Sequence, residues 1–222
     1  MALEDYKEIV ASAATILTMG HMLSGTIVCK EIIRKGTSKG SDPNPFVGGL
    51  GMGLLMLQYA FILRDSNMIA VNLFGLATSI AYVSVFYVYS PNKIDMSKLL
   101  AKMLAFTAIV LTYSKLEHPK LLEFRYGVVI TILFFLLIAS PLMNVGEVIR
   151  TQSTELLPFP LIAMGTIVSF LWLLYGIILN NGFIIFQNAV GLGLYVIQLS
   201  LFVIYPSKPV DKAAQKRESK SN

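Results

Sequence analysis

A chain of 222 residues that is 55% apolar and only 14% charged cannot cover a water-facing surface, because soluble domains carry about 25% charged residues. Its mean hydropathy of +0.67 excludes an intrinsically disordered protein, and its single cysteine excludes an internal disulfide framework. The net charge of +5 is a basic surplus that sorts by side once the apolar segments are placed.

A membrane-spanning helix needs about 20 mainly apolar residues. Seven segments of that kind run over 9–29, 44–63, 68–90, 99–116, 126–148, 158–179 and 183–205. The first is preceded by Glu4 and Asp5 and opens near Glu8. That acidic start is unlike the basic start of a cleaved signal peptide. The second and third carry few polar groups, Asn72 among them. The fourth is the weakest and holds Lys102 near one end, where a long side chain can snorkel to the headgroups. The fifth contains Pro141, the sixth Trp172 and the seventh Asn188. The tail over 207–222 is polar and basic, the composition of a disordered segment. The loops after segments 1, 3 and 5, with that tail, hold twelve Lys and Arg, against five on the opposite side. The positive-inside rule then places the N-terminus outside and the C-terminus in the cytosol.

An internal repeat organises the chain. At an offset of 116, Glu31 falls on Glu147, Arg34 on Arg150, Tyr59 on Tyr175, Asn72 on Asn188 and Gly75 on Gly191. Polar residues in register are not an accident of apolar composition. Segments 1–3 match segments 5–7, and segment 4 is left over. One extra span between two three-span units returns the second unit to the orientation of the first, so the repeats are parallel. The expected fold is an all-α integral membrane protein. Its seven transmembrane helices form two three-helix-bundle repeats joined by a linker helix. The units are 1–91, 92–124 and 125–206, followed by the tail.

The run from Ser24 to Ser38, its counterpart from Ser140 to Thr154, the Trp172–Gly176 stretch with Asn188–Gly191, and the Tyr205–Pro206 ending resemble the SWEET family of sugar transporters, animal saliva-type members most of all. The resemblance spans about residues 8 to 206. It implies a sugar held between the bundles by Asn72 and Asn188. An amide suits that task because it offers two donors and an acceptor. The family's ring-stacking aromatic, sixteen residues before each asparagine, is Trp172 in the second half and Met56 in the first. Met can line a pocket but has no flat face. By the same alignment His21, Leu137, Met52 and Val168 line the pocket, and the bulk of Leu137 and Met52 points to a monosaccharide. For His21, a plain hydrogen bond to a carbonyl is the competing reading. The family's hinge prolines match Pro45, Pro141 and either Pro158 or Pro160. In the first helix the position is Gly25, a softer hinge. Tyr59, Tyr175, Asp65 and Asn181 match the extracellular gate.

No phosphate-binding loop, nucleophile elbow or zinc-binding motif is present, so neither an enzyme nor a cofactor or metal site is expected. Apart from His21, no ionisable group sits at mid-span, which favours facilitated diffusion over proton coupling. The resemblance implies a bidirectional uniporter for a monosaccharide such as glucose. The expected partners are the sugar, the bilayer and further copies of the chain, with no nucleic acid. The plasma membrane is the expected location, with Golgi or endosomal membranes as alternatives. A non-transporting scaffold, and a PQ-loop carrier or receptor for another ligand, are the competing functions.

Overall fold

The computed structural model describes residues 3–137, 139–155 and 157–205. Among them, nine α-helices run in order: α1 (Lys7–Met22), α2 (Gly25–Lys35), α3 (Asn44–Leu63), α4 (Ser66–Val88), α5 (Lys93–Leu116), α6 (Pro119–Leu137), α7 (Ala139–Thr151), α8 (Phe159–Ile178) and α9 (Gly182–Ile204). The pair α1–α2 makes one broken rod, and α6 and α7, which flank residue 138 outside the described residues, belong to one rod, so nine helices form seven rods. Each expected span falls on one rod. The fourth begins at Lys93 rather than 99 because Asn92 caps it, accepting from Ile94 N at 3.1 Å and Asp95 N at 3.3 Å. Among the described residues, five rods are long and apolar enough to cross a membrane by length and composition; α5 is not among them. Apolar side chains such as Leu116 and Val203 face outward at 81% and 89% exposure, as a hydrocarbon solvent permits. The tail over 207–222 lies outside the described residues.

In the first half α4 packs between α1 and α3, and in the second α9 packs between α6 and α8. Across the halves α1 packs on α8 and α3 on α6. Exchanging α1 with α6 and α3 with α8 leaves this set of pairings unchanged. That is the pseudo-twofold symmetry of parallel repeats, with its axis along the rods. Helix α5 packs on α3 and touches α4, outside both bundles.

The repeat extends to single backbone angles. Gly36 ends α2 with φ 67°, and Gln152, its partner in register, has φ 50°. Arg64 ends α3 with φ 56°, and its partner Asn180 has φ 51°. Left-handed backbone costs an L-residue roughly 1–2 kcal/mol, and only Gly36 avoids that cost. Gln152 is exposed, so Gln152→Gly is expected to stabilise the fold by about 1 kcal/mol, read as a higher melting temperature in detergent.

A polar cluster closes the α5–α6 turn. Tyr113 Oη donates to Glu117 Oε2 at 2.6 Å, His118 N to Oε1 at 2.9 Å, and Arg125 Nη1 reaches both oxygens at 3.1 and 3.2 Å. The Tyr113 bond, then the backbone and Arg125 bonds, hold the Glu117 carboxyl at about 2, below the ordinary value of about 4.3. A depressed pKa favours the folded state above the unfolded value and loses that benefit as pH falls towards the folded one. Glu117→Gln is therefore expected to flatten the fall in melting temperature between about pH 4.3 and pH 2.

Candidate functional site

The site is built where the two halves meet. At one end, Asp65 caps α4 by accepting from Met68 N at 2.8 Å, and Asn181 caps α9 by accepting from Phe183 N at 3.1 Å and Ile184 N at 3.0 Å. Each cap also binds a tyrosine of the other half. Tyr175 Oη donates to Asp65 Oδ2 at 2.5 Å. Asn181 Nδ2 donates to Tyr59 Oη at 3.1 Å, and the Tyr59 hydroxyl lies 3.4 Å from Asn181 Oδ1. Tyr59 and Tyr175 are 1% and 0% exposed, so this end is closed by two crossing pairs. Tyr126 adds a third tie, from Oη on α6 to the Leu55 carbonyl on α3 at 3.0 Å.

Beneath these tyrosines lie Met52, Met56 and Trp172, half-buried against the same core. The Trp172 indole meets Tyr175 edge-on at 5.6 Å. Its Nε1 donates to Thr18 Oγ1 on α1 at 2.8 Å, so the indole is held by a ring contact and a hydrogen bond. Val168, one turn away on α8, is half-buried.

The two asparagines are equivalent in detail. Asn72 Nδ2 donates to the Met68 carbonyl at 2.7 Å, and Asn188 Nδ2 to the Ile184 carbonyl at 2.9 Å. Each amide is thus oriented by its own helix. One N–H and the Oδ1 of each have no protein partner among the described residues. Both are half-buried, so those groups remain available to a ligand.

Asn72 borders a cavity of about 390 Å³ whose other walls include Met22, Gly25, Pro45, Phe46 and Tyr82. That volume lies in the range of small-molecule pockets. Asn188 does not border this cavity. On α4 the lining residues Asn72, Gly75, Ser79 and Tyr82 keep the spacing of a single helical stripe. The cavity reaches the start of α3, so it occupies the half of the molecule away from Tyr59. This is the end that carries Lys30, Arg34, Lys35 and Lys39.

The remaining candidates fall around these features. His21 is half-buried near the end of α1, and its Nδ1 is buried with no hydrogen-bond partner among the described residues. The carbonyl bond offered as its competing reading is therefore not made by Nδ1. Leu137 packs against α3, its Cδ1 3.1 Å from where a Cβ on Gly48 would stand. Pro45 and Pro160 lie in the first turns of α3 and α8, and Pro158 is the N-cap of α8. In a first turn the missing N–H has no ladder partner to lose, so these prolines set where helices begin rather than bend their interiors. Pro141 lies in α7, and its side chain lies outside the described residues. Sequence reasoning passed over Thr18, Tyr82 and Tyr126. Each is a hydroxyl on an apolar span, a signal that identifies no partner by itself.

A family profile described as "Sugar efflux transporter for intercellular exchange" matches residues 8–94 and 124–210, one copy per repeat. The chain is 32% identical over 207 residues to the sugar transporter SWEET1 of Drosophila pseudoobscura pseudoobscura, covering 90% of each protein. It is 30% identical over 197 residues to the bidirectional sugar transporter SWEET11 of Arabidopsis thaliana, covering 86% of this chain and 68% of the relative. Among solved structures it resembles a eukaryotic SWEET transporter with a TM-score of 0.83 at 27% identity, covering 91% of this chain and 98% of that one.

Proposed function

The chain belongs to the MtN3/SWEET family of sugar transporters, multi-pass membrane proteins and not enzymes, and on that footing we propose that it is a bidirectional uniporter for a monosaccharide such as glucose. The supporting observation is one-sided access. The Tyr59 end is closed by its tyrosine–cap pairs, while Asn72 borders a cavity in the opposite half. In this reading the sugar sits between Asn72 and Asn188, whose free amide groups take its hydroxyls. Trp172 and Met56 support the ring from above, and Met52, Leu137, Val168 and His21 complete the pocket wall. Bare lipid would leave those hydroxyls unpaired at several kcal/mol each, and the site lowers that barrier on one side at a time.

Transport then alternates between this arrangement and one in which the Tyr59–Asn181 and Tyr175–Asp65 pairs part and the basic end closes. Rod 1 bends at Gly25 and rod 5 at Pro141. The basic end faces the cytosol by the positive-inside rule, the N-terminus lies outside, and the protein works in the plasma membrane as a homo-oligomer. The test is counterflow of labelled glucose into liposomes bearing the purified protein. Uptake is expected without a proton gradient. Uptake that requires a pH gradient would replace the uniporter with a coupled carrier, and its absence for every sugar tried would remove the sugar reading.

A further inference from the structure

The first rod is broken without a proline. At the break, Ser24 N donates to the His21 carbonyl at 3.1 Å and Thr26 N to the Leu23 carbonyl at 3.0 Å. The ladder has therefore tightened from four-residue to three-residue spacing. The Met22 carbonyl, to which Thr26 N would donate in a continuous helix, is left over. Tyr82 of α4 takes it, Oη donating at 3.0 Å. Thr26 Oγ1 lies 3.2 Å from the same phenol.

The ring is placed as closely as the hydroxyl. A Cβ at Gly25 would stand 2.6 Å from Tyr82 Cε2 and 3.1 Å from Phe46 Cε1. The Phe46 ring meets that of Tyr82 edge-on at 5.8 Å. All three rods of the first repeat thus converge on one side chain. In the second repeat the register partner of Gly25 is Pro141, and that of Tyr82 is Gln198. Where the chain has a proline it lacks the phenol, and where it has the phenol it has a glycine.

We propose that Tyr82 is the positioning residue of the first rod's hinge: its phenol holds the carbonyl freed at the break, and its ring occupies the space that glycine leaves at position 25. The bend is held from α4 by a bond that can be made and broken, instead of by a proline that is always present. Tyr82 lies ten residues beyond Asn72 on α4, about 15 Å along the helix, so it acts on the entrance rather than on the bound ligand.

The transport half of this inference rests on the uniporter reading, while its structural half does not. Cys29 is the single cysteine, lies on α2 four residues beyond Gly25, and is 5% exposed, so its labelling by a membrane-impermeant thiol reagent reports on the hinge. Tyr82→Phe keeps the ring and loses the bond. It is expected to raise the Cys29 labelling rate about fivefold and to change the maximal glucose counterflow rate by a similar factor, with half-saturation unchanged within about twofold. Gly25→Ala, which pushes the ring aside, is expected to give the same changes, with no further effect when combined with Tyr82→Phe. Altered labelling in protein that carries no glucose would support the hinge and fail the sugar reading. Wild-type labelling in both single variants, or a change in half-saturation alone, would overturn the proposal.

Discussion

Asn72→Ala and Asn188→Ala are each expected to reduce glucose counterflow about 100-fold, from two hydrogen bonds lost at roughly 1–3 kcal/mol each when a sugar hydroxyl is left unpaired. The melting temperature should barely move. The geometry separates these outcomes. A membrane asparagine that glues helices together bonds a neighbouring helix, and its loss destabilises the fold. Here each Nδ2 bonds a carbonyl of its own helix, Met68 for Asn72 and Ile184 for Asn188, and that carbonyl already serves the ladder. Removing the amide leaves the helices as they were and removes only what faces the ligand. Both variants should be assayed by counterflow and by thermal unfolding in detergent. Lost stability with retained flux per folded molecule would make the pair structural.

The second large effect is expected at the closed end, and its sign differs between the two crossing pairs. Tyr175 donates to a carboxylate, Asp65, whereas Tyr59 meets an amide, Asn181. Hydrogen bonds to charged groups contribute about 1.5–3 kcal/mol. Tyr175→Phe is therefore expected to shift the balance of states about 10–100-fold towards an open Tyr59 end. Asn181→Asp should act oppositely. It keeps the cap on α9 and gives Tyr59 a carboxylate to donate to, so the closed state gains and exchange slows. A cysteine placed beneath the tyrosines, in a Cys29→Ser background, reads the balance by its labelling from the Tyr59 side. Equal labelling in Tyr175→Phe, Asn181→Asp and the parent would remove the gating role of these pairs.

The positions of the spans were legible because apolar runs bounded by Asp65, Asn92 and Asn181 have few alternatives in a membrane. The repeat was legible because Asn72 and Asn188, or Tyr59 and Tyr175, are polar coincidences that apolar selection does not produce. The register even carries the left-handed turns, at Asn180, where asparagine favours that conformation, and at Arg64, where no residue preference would have suggested it. What the linear pattern hides is which side chains meet across the halves. Tyr59 could anchor to an interface as well as bond Asn181, and only the crossing of α3 over α6 and α1 over α8 decides. Gly25 read as a soft point, whereas the fold shows a close approach to Tyr82, fifty-seven positions away. Pro45 and either Pro158 or Pro160 read as hinge prolines, and the fold places all three at the starts of α3 and α8, a position that the linear pattern does not reveal.

The central claim is that flux requires the Tyr59 end to open. The most direct test puts cysteines at Tyr59 and Asn181 in a Cys29→Ser background and joins them with a short, reducible bifunctional thiol reagent. Counterflow of glucose in liposomes is then measured before joining, after joining and after reduction. Flux that vanishes on joining and returns on reduction is the predicted result. Flux that persists through the joined protein would contradict the account, because sugar would then be crossing by a route that the tyrosine–cap pairs do not close.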